Sequence, residues 1–276
     1  MDDSSTSNNA APLTKGQLVA ELRALGVRQG GVVMLHASVR ELGWIVGGPR
    51  VVLDALLELL TPSGTLMMLA SWAGNPYGMA EWPEAQRAAW IAECPPFDPA
   101  TSPADHREMS ILAEYLRTWP GARRSDHPLA SFVAVGALAA EFTAHHPWQY
   151  GHGLESPLAR FCAADGAVLL LGPLLSNITL LHHAEQLADI PEKRIDRYMM
   201  PVLRDGVRVW VGIEEYDTTN GIADFGEDDY FAAIGRDFLA TGRGNRGRVG
   251  ATEATLLPGA ELVQFAVAWM ESHLRR

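Results

Sequence analysis

The chain has 276 residues, 47% hydrophobic and 20% charged, which is enough apolar material for a substantial core and too much for general disorder. Its 33 acidic against 22 basic residues leave a net charge of −11, which argues against a nucleic-acid partner because phosphate binding needs a basic surface. The same balance suits a cationic substrate, and it suits ordinary solubility equally well.

No apolar run reaches the roughly 18 to 20 residues of a membrane span, so no membrane association is expected. Met1 to Ala10 is polar and acidic, unlike a signal peptide, and residues 1–12 are expected to be disordered ahead of a single domain over 13–276. Cys94 and Cys162 offer neither a disulfide framework nor a metal-spacing pair, and a reducing, cytoplasmic setting is the simplest reading.

Thr14 to Gly26 has helical spacing with a threonine N-cap and a glycine stop. Gly31 to His36 reads as a buried strand, Pro49 to Leu60 as a helix and Thr65 to Leu69 as a second strand. This αβαβ order predicts a mainly parallel sheet. Residues 70–108 carry six prolines around one short helix at 81–94, and a loop of that length points to function. A helix over 109–119, a strand over 130–135, a loop rich in His, Trp and Tyr over 145–153 and a short helix after Pro157 follow. Met199 to Leu203 and Val207 to Ile213 alternate around Asp205-Gly206, a hairpin signal, and helices over 228–240 and 258–274 close the chain. The expected fold is a single α/β domain with a central mixed, largely parallel sheet flanked by helices.

Gly242-Arg-Gly-Asn-Arg-Gly247 matches GxGxxG literally. It follows a helix rather than a strand, so it is read as a basic, flexible turn and not a dinucleotide site. The nucleophile elbow, the Walker loop and the phosphate loop of the common acetyltransferase superfamily are all missing, and the nine histidines show no standard metal spacing.

The most informative stretch is Asn177 to Glu185. The aliphatic run Ala167 to Leu171 ends in Gly172-Pro173, and Leu180, Leu181, Ala184, Leu187 and Ala188 then recur at helical spacing. The segment therefore reads strand, tight loop, helix, which puts the loop at a strand's carboxyl end, where open α/β sheets bind ligands. On that helix His182 and Glu185 are i,i+3 and share a face, while His183 points about 100° away. Histidines that are merely solvated or satisfied in the core fit the spacing as well. Farther on, Glu215 and Asp217 would project to one side of a strand end. A carboxylate near His182 would fix its tautomer, the arrangement of a base and its orienter, but spacing does not decide whether they meet.

Ordered motifs then run through nearly the whole chain. They are Leu35-His-Ala-Ser38 with Gly47-Gly48, Ala70-Ser-Trp72, Pro96-Phe-Asp-Pro-Ala-Thr101, Arg124-Ser-x-His-Pro128, Ser156-Pro157 and Leu169-Leu-Leu-Gly172. Thr179-Leu-Leu-His-His-Ala-Glu185, Glu215-Tyr-Asp217, Asn220-Gly-Ile222 and Gly247-Arg-Val-Gly250 complete the set. In these the chain resembles the aminoglycoside 3-N-acetyltransferases, the antibiotic N-acetyltransferase family, from about residue 14 to the C-terminus. The resemblance implies acetyl transfer from acetyl-CoA, without a metal, to the 3-amino group of a 2-deoxystreptamine antibiotic, conferring resistance, on a fold distinct from the common acetyltransferase superfamily. It implies His182 as catalytic base with Asp217 and Glu215 as its acidic partners. It implies CoA contacts at His36, Ala37, Ser38, Arg124 and Ser125. Asp98, Glu215, Asp217, Asp224, Glu227 and Asp228 are the carboxylates available to a polycationic acceptor. Met109 stands where many relatives carry glycine, and residues 223–229 fall in a stretch that varies in the family. Acylation of another amine by the same fold and non-catalytic binding of an amine or CoA are the alternatives. Monomer and homodimer are both compatible.

Overall fold

The computed structural model describes residues 12–226 and 229–274. The disorder expected for residues 1–12 concerns a stretch of which 1–11 lie outside the described residues. The helices are α1 (Lys15–Leu25), α2 (Arg50–Leu60), α3 (Glu84–Glu93), α4 (Ile111–Arg117), α5 (Ala139–Thr143), α6 (Pro157–Ala163), α7 (Leu180–Leu187), α8 (Tyr230–Ala240) and α9 (Gly259–His273). The strands are β1 (Val32–Ala37), β2 (Thr65–Leu69), β3 (Arg123–Arg124), β4 (Phe132–Gly136), β5 (Ala167–Leu171), β6 (Ile195–Arg204), β7 (Val207–Tyr216), β8 (Asn245–Val249) and β9 (Thr252–Pro258).

Seven strands form one sheet in the order β3-β4-β2-β1-β5-β9-β8. The expected mixed sheet is found, with its parallel part at the centre: β1 pairs in parallel with β2 and with β5. Antiparallel strands complete both sides, β4 on β2 and β9 on β5. The central strands are apolar at successive positions because both faces are covered. Val33, Leu35 and Ala37 of β1, with Leu169 and Leu171 of β5, enter a core shared with α1, α2 and α4. Val32 and Met34, with Val168 and Leu170, face a second core built from α6, α7, α8 and α9. The hairpin β6–β7 stands apart as a two-stranded sheet, turning through Asp205 and Gly206 at φ 51° and 77°. It docks through a small third core of Trp72, Phe97 and Val202.

The capping box of Thr14 with Gln17 and the left-handed Gly26 set the ends of α1 where the sequence places them. The hairpin is longer than its alternating stretch, because Ile195 to Tyr198 still pair with Ile213 to Tyr216. Strands β3, β8 and β9 and helix α5 are additions. Part of the stretch read as a flexible turn is a correction: Asn245 to Val249 are the edge strand β8, paired with β9. An edge strand with polar, exposed residues carries no apolar alternation, so its pairing is invisible in the sequence.

Candidate active site

Strands β1, β2 and β5 run parallel, so their carboxyl ends meet at one edge of the sheet. From that edge depart the loop after Ala37, the excursion over 70–108 and the loop that enters α7. Helix α7 buries Leu180, Leu181 and Ala184, and this fixes the rotation of the two histidines. His183 is buried and its Nδ1–H donates to the carbonyl of His152 at 2.7 Å, so it is a structural group. His182 faces the cleft. Its Nδ1 lies 2.7 Å from Oε2 of Glu185, one turn along and only 1% exposed. A carboxylate there fixes the proton on Nδ1 and leaves the lone pair on Nε2, which has no partner among the described residues.

Three chambers open around His182. The first is lined by Leu35, His36, Ala37, Leu174, Asn177 and Phe231. The second lies against Glu185, Tyr230 and the loop from Thr218 to Gly226. The third is walled by Ser71, Tyr77, Glu108, His152 and Glu215. The long excursion contributes to the first and third chambers, and Met109 lines both. Tyr77 ties it to the hairpin by donating to Asp196 at 2.6 Å.

Burial pushes the pKa of His36 down to about 4, with the proximity of His182 adding to the effect, and burial also holds His152 well below its usual value. Both rings are therefore neutral near pH 7 and add no positive charge to the cleft. Glu215, 2% exposed, is pushed up to about 7 by burial although the Tyr198 hydroxyl donates to it. Its Oε2 lies 3.9 Å from Nδ1 of His152, and neither atom has a hydrogen-bond partner. With burial acting against charge on both, this contact is not an ion pair.

The expected residues divide clearly. His182, Glu215, His36, Ala37 and Asp224 line the chambers, and Asp224 also pairs with Arg194. Asp217 is a correction, since it does not orient His182. Its carboxylate accepts the amides of Thr219 and Asn220 and the side chain of Asn220 at 2.8–2.9 Å, closing the turn that follows β7. Arg124 is a second correction. Its guanidinium donates to Ser131 Oγ and to the carbonyls of Ser102 and Ala70, so its donors are already engaged inside the fold. Ser125 is fully buried between His146 and the amide of Phe132, and the amide of Ser38 donates to the carbonyl of Leu171. The Arg124 guanidinium, the Ser125 hydroxyl and the Ser38 amide are thus all bonded within the fold. Asp98 folds onto Ala100 and Thr101, capping its own turn away from the chambers. Glu227 and Asp228 lie outside the described residues.

Glu185 was legible as the i,i+3 neighbour of His182, and the structure gives it the orienting place. Glu108, Tyr77, His152 and Tyr230 carry no local signal, because each arrives from a distant element. Among the described residues no group of three His, Cys, Asp or Glu is placed to hold a metal ion, and no helix is long and apolar enough to cross a membrane.

Residues 34–271 match the family model described as aminoglycoside 3-N-acetyltransferase. Aminoglycoside N(3)-acetyltransferase III of Pseudomonas aeruginosa is 51% identical over 262 residues, spanning 95% of this chain and 94% of its own. Among solved structures, AAC-IIIb in a binary complex with CoASH superposes with a TM-score of 0.88 at 41% identity, covering 96% of this chain and 98% of that one. AAC-VIa bound to sisomicin gives 0.89 at 39% identity, covering 96% and 100%.

Proposed function

The chain belongs to the aminoglycoside 3-N-acetyltransferase family, and from that premise we propose that His182 is the general base for direct transfer of acetyl from acetyl-CoA to the 3-amino group of an aminoglycoside. One observation carries this reading: a bare imidazole Nε2, backed by a buried carboxylate 2.7 Å from Nδ1, sits where three chambers meet.

The chemistry follows from the groups. An ammonium has no lone pair, so the acceptor must be neutral as it attacks the thioester carbonyl. Nε2 of His182 takes the proton that the nitrogen gives up as the C–N bond forms, a task suited to a neutral imidazole with a free lone pair. Glu185 stabilises the imidazolium produced. Collapse of the tetrahedral intermediate breaks the C–S bond, and the leaving thiolate takes up the proton held by the His182 imidazolium, which restores the neutral base.

The first chamber, with its apolar wall from β1 and Leu174, is assigned to the acetyl-bearing arm of acetyl-CoA. The second and third carry Glu108, Asp224, Asp229 and Glu215, and they are assigned to the polycationic acceptor. AAC-IIIb with CoASH and AAC-VIa with sisomicin support the two ligand classes. Both cysteines are free, as a reducing compartment keeps them, and we place the reaction in the cytoplasm. The test is thiol release from acetyl-CoA across a panel of amines, with and without His182→Asn. Turnover confined to aminoglycosides and lost in the variant supports the reading. Turnover only on other amines makes the chain an acyltransferase of a different substrate, and CoA binding without turnover on any amine makes it a binding protein.

A further inference from the structure

Behind the His182–Glu185 pair stands a third group that the chemistry above leaves unused. Tyr230 is the first residue of α8, whose start is fixed by Asp229 accepting the amides of Phe231 and Ala232. The buried hydroxyl of Tyr230 donates to Oε1 of Glu185, the oxygen that does not face His182, and it accepts the amide N–H of Ile222 at 3.2 Å. Both carboxylate oxygens of Glu185 are thereby satisfied, and at 1% exposure solvent has almost no access to it.

The same ring supports the loop that walls the second chamber. Gly221 holds φ +78°, and a Cβ there would fall 2.7 Å from the Tyr230 ring, so the loop backbone lies directly on the phenol. Arg194 clamps the carbonyls of Asn220 and Gly221 at 3.1 and 3.2 Å and pairs with Asp224 farther along.

We propose that Tyr230 is a positioning residue, which holds Glu185 in register with His182 and joins that pair to the acceptor loop through the amide of Ile222. This rests on His182 being the base. Burial, with the charge of Glu185 beside it, raises the phenol above its usual range, so it stays a donor throughout the working pH range. The groups facing this line from other elements are His36 on β1, Glu108 at the end of the excursion, His152 in the loop after α5 and Glu215 on β7, all grouped about His182, Asp224 and Asp229 across the second chamber, and Lys193, which donates to the carbonyl of Glu185. The phenol hydroxyl hydrogen-bonds to none of them.

Removing the hydroxyl leaves Oε1 of a buried carboxylate without a donor. The charge then concentrates toward His182 and favours its protonated form. A base that must be neutral is then lost at a higher pH. In Tyr230→Phe the acid limb of kcat/KM for the aminoglycoside should move up by about half a unit or more, and the plateau kcat should fall about tenfold. KM for acetyl-CoA should stay within about twofold. The limb position does not depend on how much enzyme is folded, so partial misfolding leaves the test intact. In a Glu185→Gln background the further change to phenylalanine should cost little, because the two act through one contact. An unmoved limb, or an equal loss of kcat in both backgrounds, overturns the proposal. Near-normal turnover in His182→Asn and Glu185→Gln would instead overturn the reading of the base itself.

Discussion

At the scale of single residues, the site turns on which carboxylate touches which ring. With the 2.7 Å contact belonging to Glu185, His182→Asn should lower kcat by about 10² or more with the thermal midpoint little changed, and Glu185→Gln should lower kcat in the same direction. Asp217→Asn should act mainly on the acceptor KM, since it weakens a turn rather than the base. Steady-state kinetics of the three variants decide this, and a collapse of kcat confined to Asp217→Asn would restore it as orienter. Glu215 gives a second prediction, on stability. Its pKa is raised by burial from 4.5 to about 7. Below 4.5 the folded and unfolded chains both hold the proton, and there is no penalty. Between 4.5 and about 7 the unfolded chain releases a proton that the folded one keeps, so stability falls as pH rises, and above about 7 the cost is complete. That cost is about 3 kcal/mol at most. Glu215→Gln, which never ionises, should therefore raise the melting temperature relative to wild type at pH 8 and much less at pH 5. An equal shift at both pH values would remove the buried charge as its cause.

At the scale of elements, Arg124 on the short strand β3 clips three segments together. It reaches Ala70 after β2, Ser102 in the excursion and Ser131 just before β4, and it lies over the Phe97 ring at 5.0 Å. Burial lowers its own pKa to about 9, so it still carries its charge near neutrality. Arg124→Ala should cost about 2 to 4 kcal/mol of unfolding free energy, because carbonyls left inside the fold lose their donors. Urea denaturation measures the loss, and KM for acetyl-CoA in the folded fraction should stay near wild type. A rise in that KM without loss of stability would return Arg124 to the CoA site.

At the scale of the whole molecule, the net charge of −11 acquires a location. Glu108, Asp224 and Asp229 line chambers whose buried histidines are neutral, and Arg194, paired with Asp224, offsets only part of that charge, so a ligand carrying several ammonium groups meets a net negative field. Salt screens partly exposed charges over about 8 to 10 Å at physiological strength. Raising NaCl should raise the aminoglycoside KM and leave kcat much less affected. Measurement of both constants at two ionic strengths tests this, and a KM indifferent to salt would exclude electrostatic recruitment.

Much of this was legible in the chain itself. Caps and apolar periodicity set the ends of α1, β1, α2 and β2, because those signals act within a few residues. The i,i+3 spacing put His182 and Glu185 on one helical face, and the ordered motifs carried the family and its acetyl-CoA chemistry. Tertiary structure alone decided the rest. It put the walls of the chambers around His182 together from the excursion, the hairpin and the loop before α8, and it sent Asp217 to its own turn and Arg124 into the interior. It also laid Tyr230 behind Glu185, 45 residues away in the chain. A side chain's role depends on which donors and acceptors reach it once the backbone has closed, and contacts between distant segments leave no period or cap in the sequence to announce them.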